Sequence, residues 1–203
     1  MKKEINKNMP IRLTLTRMIL SLIIVILLLF PFDMINFSFS KYLINDTVII
    51  DVKLIICAVL FVIAAVTDFL DGRLARKYNL VSDTGKVMDS IADKILIDAI
   101  LVVLCGQGYI SPIIPVVIII RDIFIDAVKM LASKNGEVVG SIVSGKFKTF
   151  FLMVGITLKL IGNYPLGLWN VSLDDFFIIT GTLLAILSAV EYYRIYKKFI
   201  DLK

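Results

Sequence analysis

Four aspartates of this 203-residue sequence fall into two pairs with helical spacing. Asp68 and Asp71 are three residues apart, and Asp89 and Asp93 are four apart, so each pair projects from one face of its own helix. A short connection between those helices makes them antiparallel neighbours, and four carboxylates could then converge on one point. Left unpaired they would repel, and each charge deep in a bilayer costs roughly 2.5–3.5 kcal/mol. A divalent cation is the simplest compensation, and oxygen-only ligands select hard ions such as Mg²⁺, Mn²⁺ or Ca²⁺. Taken singly, the aspartates have plainer roles. Asp83 and Asp89 would suit a helix N-terminus, and Asp71 could pair with Arg73 or Lys94. The sequence holds no histidine. Histidine acid–base chemistry and histidine-ligated metals are therefore excluded, and any catalysis runs on carboxylates, Lys, Arg, Tyr or hydroxyls.

The residues between the pairs suit a phosphate. Gly72 follows Asp71 inside a helix, where glycine costs about 1 kcal/mol relative to alanine, and it lets a ligand approach the backbone. Gly85 stands where the next helix begins, leaving N–H groups open to a phosphate. Arg76 lies two turns beyond Asp68 on roughly the same face, placed to hold a phosphate bidentately.

The elements that position these residues are membrane helices. Hydrophobic residues make up 59% of the chain, against about 45–50% for a soluble domain, and the mean hydropathy is +0.91. The expected fold class is all-α: a polytopic membrane protein with six transmembrane helices behind an N-terminal interfacial segment. The spans run over 13–33, 52–77, 85–106, 111–134, 146–163 and 173–198. Asn45-Asp46, 79–84, Gly106-Gln107-Gly108, Asn135-Gly136 and 162–165 separate them. No repeat or second domain is visible, so residues 1–203 form one domain. The stretch from Thr14 to Phe32, behind Lys2, Lys3 and Lys7, is too long for a signal segment and lacks a small-residue cleavage site. Region 33–52, with Phe37 and Phe39, is expected as an outer loop or interfacial segment.

Lys and Arg concentrate in the N-terminal arm, in the 73–86 and 129–148 connections, and after Arg194. That asymmetry places both termini and both basic connections in the cytoplasm. The net charge of +5 thus belongs to loops and anionic lipid and does not imply nucleic acid. Cys57 and Cys105 lie in apolar runs and read as small hydrophobes. The second and third spans carry their charges at the cytoplasmic end, with Asp68 roughly 13 Å inward from its helix end at 1.5 Å per residue.

Read together, the residues are Asp68-x2-Asp71-Gly72-x2-Ala75-Arg76-x8-Gly85-x3-Asp89-x3-Asp93. This resembles the signature of the CDP-alcohol phosphatidyltransferases at every defined position. The resemblance implies a six-span, usually homodimeric membrane enzyme of the cell membrane with a cytoplasm-facing site. It implies that Asp68, Asp71 and Asp89 bind metal, and that Asp93 is the general base and touches a second metal. Mg²⁺ or Mn²⁺ is the implied cofactor, two per site. Asp68, Asp71, Gly72, Ala75, Arg76 and Gly85 are implied at the CDP moiety of CDP-diacylglycerol, with CMP as leaving group.

Three further segments resemble the phosphatidylglycerophosphate-forming branch of that family. They are Asn8-Met9-Pro10 with Leu13-Thr14 and Arg17; Ile120-Arg121-Asp122; and Gly145-Lys146-x-Lys148-Thr149. The acceptor this implies is sn-glycerol 3-phosphate. The sequence departs from the branch at Asp122, where Glu is usual, and at Ala127-Val128-Lys129, where Gly-Leu-Arg is common. These departures bear on the acceptor and not on the family. The residues agree with an anionic acceptor. Arg121 is a charge inside an apolar span, so it faces the bundle interior, where Asp122 or Asp126 could pair with it. Lys146 and Lys148 flank the next span on the same side, and with Arg121 they could form a phosphate pocket. They could equally be positive-inside anchors, as Lys129 and Lys134 read more naturally. Other acceptors remain open on the same chemistry: inositol phosphate, phosphatidylglycerol as in cardiolipin synthases, or serine. A divalent-cation transporter is the alternative from another class. It would distribute charge near the midplane along broken helices, whereas these carboxylates crowd one end.

Overall fold

A computed structural model describes residues 9–44, 48–77, 83–134, 140, 142–164, 167 and 171–200. Within these, 9–13, 33, 44, 48–49, 70–77, 83–87, 89–90 and 198–200 are described by backbone alone. Six helices account for most of the chain: α1 (Met9–Leu29), α2 (Val52–Lys77), α3 (Asp83–Gly106), α4 (Ile113–Lys134), α5 (Val143–Leu160) and α6 (Leu173–Ile200). The all-helical expectation holds except for one hairpin, β1 (Lys41–Ile44) and β2 (Val48–Asp51), after a 3₁₀ turn at Phe32–Ile35. Its antiparallel register pairs Lys41 with Asp51 and Ile44 with Val48. The region expected as loop or interfacial segment therefore has regular structure. Its β-favouring Tyr42, Leu43, Val48, Ile49 and Ile50 are too few and too short to read as strands by periodicity alone.

The helices pack through stripes at i, i+3 and i+4 spacing. On α1 the buried stripe is Thr14, Arg17, Ser21, Ile24 and Leu28, polar at its start and apolar at its end. α1 lies against α2 and α3, α4 against α6 and α3, and α5 against α6, α2 and α3. The most extensive contact is between α5 and α6, where glycines replace side chains. A Cβ on Gly155 would stand 2.6 Å from Cγ1 of Ile178, and one on Gly181 would stand 2.9 Å from Leu152. Small residues at such contacts let helix backbones approach, as in membrane bundles.

One end of the bundle is tied by backbone capping. The Asp51 carboxylate accepts from the Lys53 N–H at 2.8 Å, an N-cap for α2. The last carbonyls of a helix lack internal partners. That of Leu28 in α1 accepts from Gln107 at 2.7 Å and from Lys53 Nζ at 3.3 Å. Edge-to-face contacts among Phe30, Phe32, Phe37 and Phe39 cover the same end.

Among the described residues the helices expose apolar faces. Ile19, Leu22 and Ile26 on α1, Val59, Val62 and Val66 on α2, Val116, Ile120 and Ile123 on α4, and Ile179, Leu183 and Ile186 on α6 are all exposed. Soluble monomers rarely expose contiguous apolar patches beyond a few hundred Å². Two helical stretches among the described residues are long and apolar enough to cross a membrane, Val52–Phe69 and Leu173–Lys197, with Thr14–Leu29 a shorter apolar helix. α3, α4 and α5 carry charged residues within their apolar runs.

Candidate active site

Asp68 enters from α2 and Asp93 from α3, and α1 supplies the group that joins them. Nη1 of Arg17 forms an ion pair with Oδ1 of Asp68 and donates to Oδ1 of Asp93 at 2.8 Å. The Arg17 side chain is 1% exposed, whereas those of Asp68 and Asp93 are 26% and 39% exposed. The guanidinium is thus buried inside the bundle, and the two carboxylates are the more accessible partners. Asp71, Gly72, Ala75 and Arg76 lie on the same helix as Asp68, and Gly85 and Asp89 on the same helix as Asp93. The side-chain geometry expected of those six lies outside the described residues, as does Asn8 entirely.

The donor chemistry fits a hard divalent cation. Two carboxylates from different helices meet at one positive centre, and their ligand atoms are oxygen alone. Among the described residues no group of three or more acidic or sulfur ligands assembles.

A second ionic cluster joins α4, α5 and α6. Asp122 is buried and accepts from Lys148 Nζ at 2.9 and 2.8 Å, one bond to each carboxylate oxygen. It also accepts from Arg121 Nη1 at 2.7 Å. Arg121 donates through Nε and Nη2 to Oγ of Ser188 on α6, at 2.9 and 2.7 Å. Of the two partners open to Arg121 in the sequence, the structure selects Asp122; Asp126 instead pairs with Lys94 of α3. Gly145 explains the glycine in its segment, because a Cβ there would lie 3.1 Å from Arg121 Nη2. Its absence lets the guanidinium rest against the first turn of α5.

The sequence reading brought Arg121, Lys146 and Lys148 together. The structure joins Arg121 and Lys148 through Asp122, while Lys146 points outward and is exposed, as is Lys129. Thr14 is buried one turn before Arg17. Three residues escaped the sequence reading. Ser188 gives no signal inside an apolar helix. Glu191, which accepts from Ser144 at 2.5 Å, reads as an ordinary charge near a helix end. Asp98, whose Oδ1 is buried, was findable as a lone carboxylate in the apolar run after Asp93.

The arrangement has one cluster of two carboxylates around an arginine and one of two cations around a carboxylate. A family model of CDP-alcohol phosphatidyltransferases matches residues 7–190, nearly the whole chain and both clusters. The chain belongs to the CDP-alcohol phosphatidyltransferase family. Its members are membrane-associated transferases of phospholipid biosynthesis that use divalent metals. The chain is similar to a CDP-diacylglycerol–glycerol-3-phosphate 3-phosphatidyltransferase of Bacillus subtilis, 32% identical over 92% of this chain and 93% of that protein. It is similar to one of Rickettsia felis, 30% identical over 97% and 99% respectively. One of Mycoplasma genitalium is 37% identical over 61% of this chain and 51% of its own length.

Proposed function

We propose that this phosphatidyltransferase moves the phosphatidyl group of CDP-diacylglycerol onto sn-glycerol 3-phosphate, giving phosphatidylglycerophosphate and CMP. The carrying observation is the Arg121–Asp122–Lys148 cluster. A buried lysine and a half-buried arginine share one carboxylate there, leaving one positive charge to answer an anionic acceptor. The names carried by the Bacillus and Rickettsia relatives point to the same acceptor.

Asp68, Asp71, Asp89 and Asp93 would hold the divalent ion, Mg²⁺ or Mn²⁺, two per site. Bound there, it supplies neutralisation of the diphosphate and of the charge growing on CMP. Asp71, Gly72, Ala75, Arg76 and Gly85 would seat the CDP moiety. Asp93 takes the proton of the acceptor's 1-hydroxyl. That oxygen bonds to the phosphorus bearing diacylglycerol as the bond from this phosphorus to CMP breaks, in line. Arg121 and Lys148 orient the acceptor through its phosphate, with Lys146 at the rim. Asn8, Thr14, Arg17 and Lys129 are further candidates around these groups. Orientation and electrostatics supply most of the acceleration.

The exposed apolar faces of α1, α2, α4 and α6 support six membrane spans within one domain, with α3, α4 and α5 crossing despite their charges. The basic connections support a cytoplasmic site in a multi-pass protein of the cell membrane. Homodimerisation is carried over from the family.

The test is to incubate the purified chain with CDP-diacylglycerol, Mg²⁺ or Mn²⁺, and each acceptor singly, measuring CMP and lipid product. CMP release with glycerol 3-phosphate alone is the expected result. Release with inositol phosphate, phosphatidylglycerol or serine instead would move the chain to another branch of its family.

A further inference from the structure

We propose that Arg17 is a resident counter-cation that competes with the divalent ion for Asp68 and Asp93, so that metal loading is coupled to release of a guanidinium on α1. This rests on the reading of Asp68 and Asp93 as metal-binding residues.

The geometry has three parts. First, a single nitrogen of Arg17 reaches Oδ1 of both aspartates, so the two carboxylates already converge on one positive centre. A cation held by the same two oxygens would have to stand beside that nitrogen or replace it. Second, Arg17 cannot swing away freely. Its side chain is 1% exposed and lies in the buried stripe of α1 between Thr14 and Ser21. A displaced guanidinium therefore stays close to the incoming ion, and like charges in a poorly solvated interior repel strongly. Third, α1 packs on both α2 and α3, so the contact fastens the two aspartate-bearing helices to a third one. Arg17 thereby does two opposed things. It offsets the repulsion between Asp68 and Asp93 and so holds the site in shape, and it weakens binding of the ion that the site is shaped for. Two cations competing for one pair of carboxylates are negatively coupled, and the coupling is reciprocal.

The test reads metal binding directly, without turnover. Free Mn²⁺ is followed by electron paramagnetic resonance during titration of the full chain in detergent, for wild type, Arg17→Met, Arg17→Lys and Asp68→Asn. Thermal midpoints are taken with and without saturating Mn²⁺. Arg17→Met is expected to bind Mn²⁺ about 5- to 150-fold more tightly, the usual range of coupling between sites. Its midpoint should fall without Mn²⁺ and recover with it, widening the metal-linked shift beyond that of wild type. Arg17→Lys, which keeps the charge on a shorter stem, is expected to tighten binding by a smaller factor. It carries the test if Arg17→Met does not fold. Mn²⁺ affinity unchanged or weakened in the folded variants would overturn the proposal and leave Arg17 a structural strut. Wild-type Mn²⁺ binding in Asp68→Asn would instead remove the ligand assignment beneath it.

Discussion

The two ionic clusters of this chain are built from the same residue types in opposite proportion. At the α1–α2–α3 junction one arginine serves two described carboxylates, and Asp71 and Asp89 lie on the same two helices as those carboxylates. At the α4–α5–α6 junction one carboxylate serves an arginine and a lysine. The excess charge is negative in the first and positive in the second. A buried charge is tolerated where a partner compensates it, and removing one partner leaves the other exposed to the full desolvation cost. Under the proposed function each cluster is incomplete in the sense that selects its ligand, a cation for the first and an anion for the second. Proportion, more than residue type, would then separate the metal end from the acceptor end.

The comparison can be broken most severely at Asp93. Asp93→Asn should cut turnover by about 10²–10⁴-fold, the usual contribution of a positioned base, and leave the KM for glycerol 3-phosphate near wild type. A turnover loss below tenfold would remove Asp93 from the proton transfer.

Lys148→Met tests the other cluster. Its KM for glycerol 3-phosphate should rise about 10- to 150-fold, the worth of a charge-assisted hydrogen bond of about 1.5–3 kcal/mol. It should also lose stability of about 3–5 kcal/mol, because Asp122 keeps its charge with one partner fewer. Adding Asp122→Asn to Lys148→Met should restore the thermal midpoint without restoring KM, which separates the structural role of the pair from acceptor binding.

Gly155→Ala addresses packing that belongs to neither cluster. Its new methyl meets Ile178, so the thermal midpoint should fall with a cost of about 1–3 kcal/mol, while KM and turnover of the folded fraction stay unchanged. Lys146→Ala should do least. Its side chain is exposed on α5, and the acceptor KM should change by less than about twofold, as surface charges contribute little.

The helices were legible because apolar runs bounded by polar and turn residues declare themselves. α2 occupies 52–77, the span the sequence predicts, and α1, α3 and α5 begin two to four residues earlier than predicted. Charges near those helix starts blur the apolar boundary without ending the helix. The placement of the four aspartates on two helices was legible because their spacing is local. What joins the sets was not, because Arg17 meets Asp93 across 76 residues and Arg121 meets Ser188 across 67. Such pairings depend on how helices pack, which no local spacing encodes. The hairpin at 41–51 escaped for a related reason: four-residue strands owe their existence to each other and to the capped start of α2.

The central claim is that the carboxylate-rich cluster serves the metal and donor while the cation-rich cluster serves the acceptor. The most direct measurement is a full kinetic matrix on wild type, Asp68→Asn and Arg121→Gln, varying CDP-diacylglycerol, Mn²⁺ and glycerol 3-phosphate in turn. The account requires Asp68→Asn to raise the Mn²⁺ requirement and leave the acceptor KM alone, and Arg121→Gln to do the reverse. If either variant shifts both quantities together in a folded protein, the two clusters form one site and the division of labour drawn here is wrong.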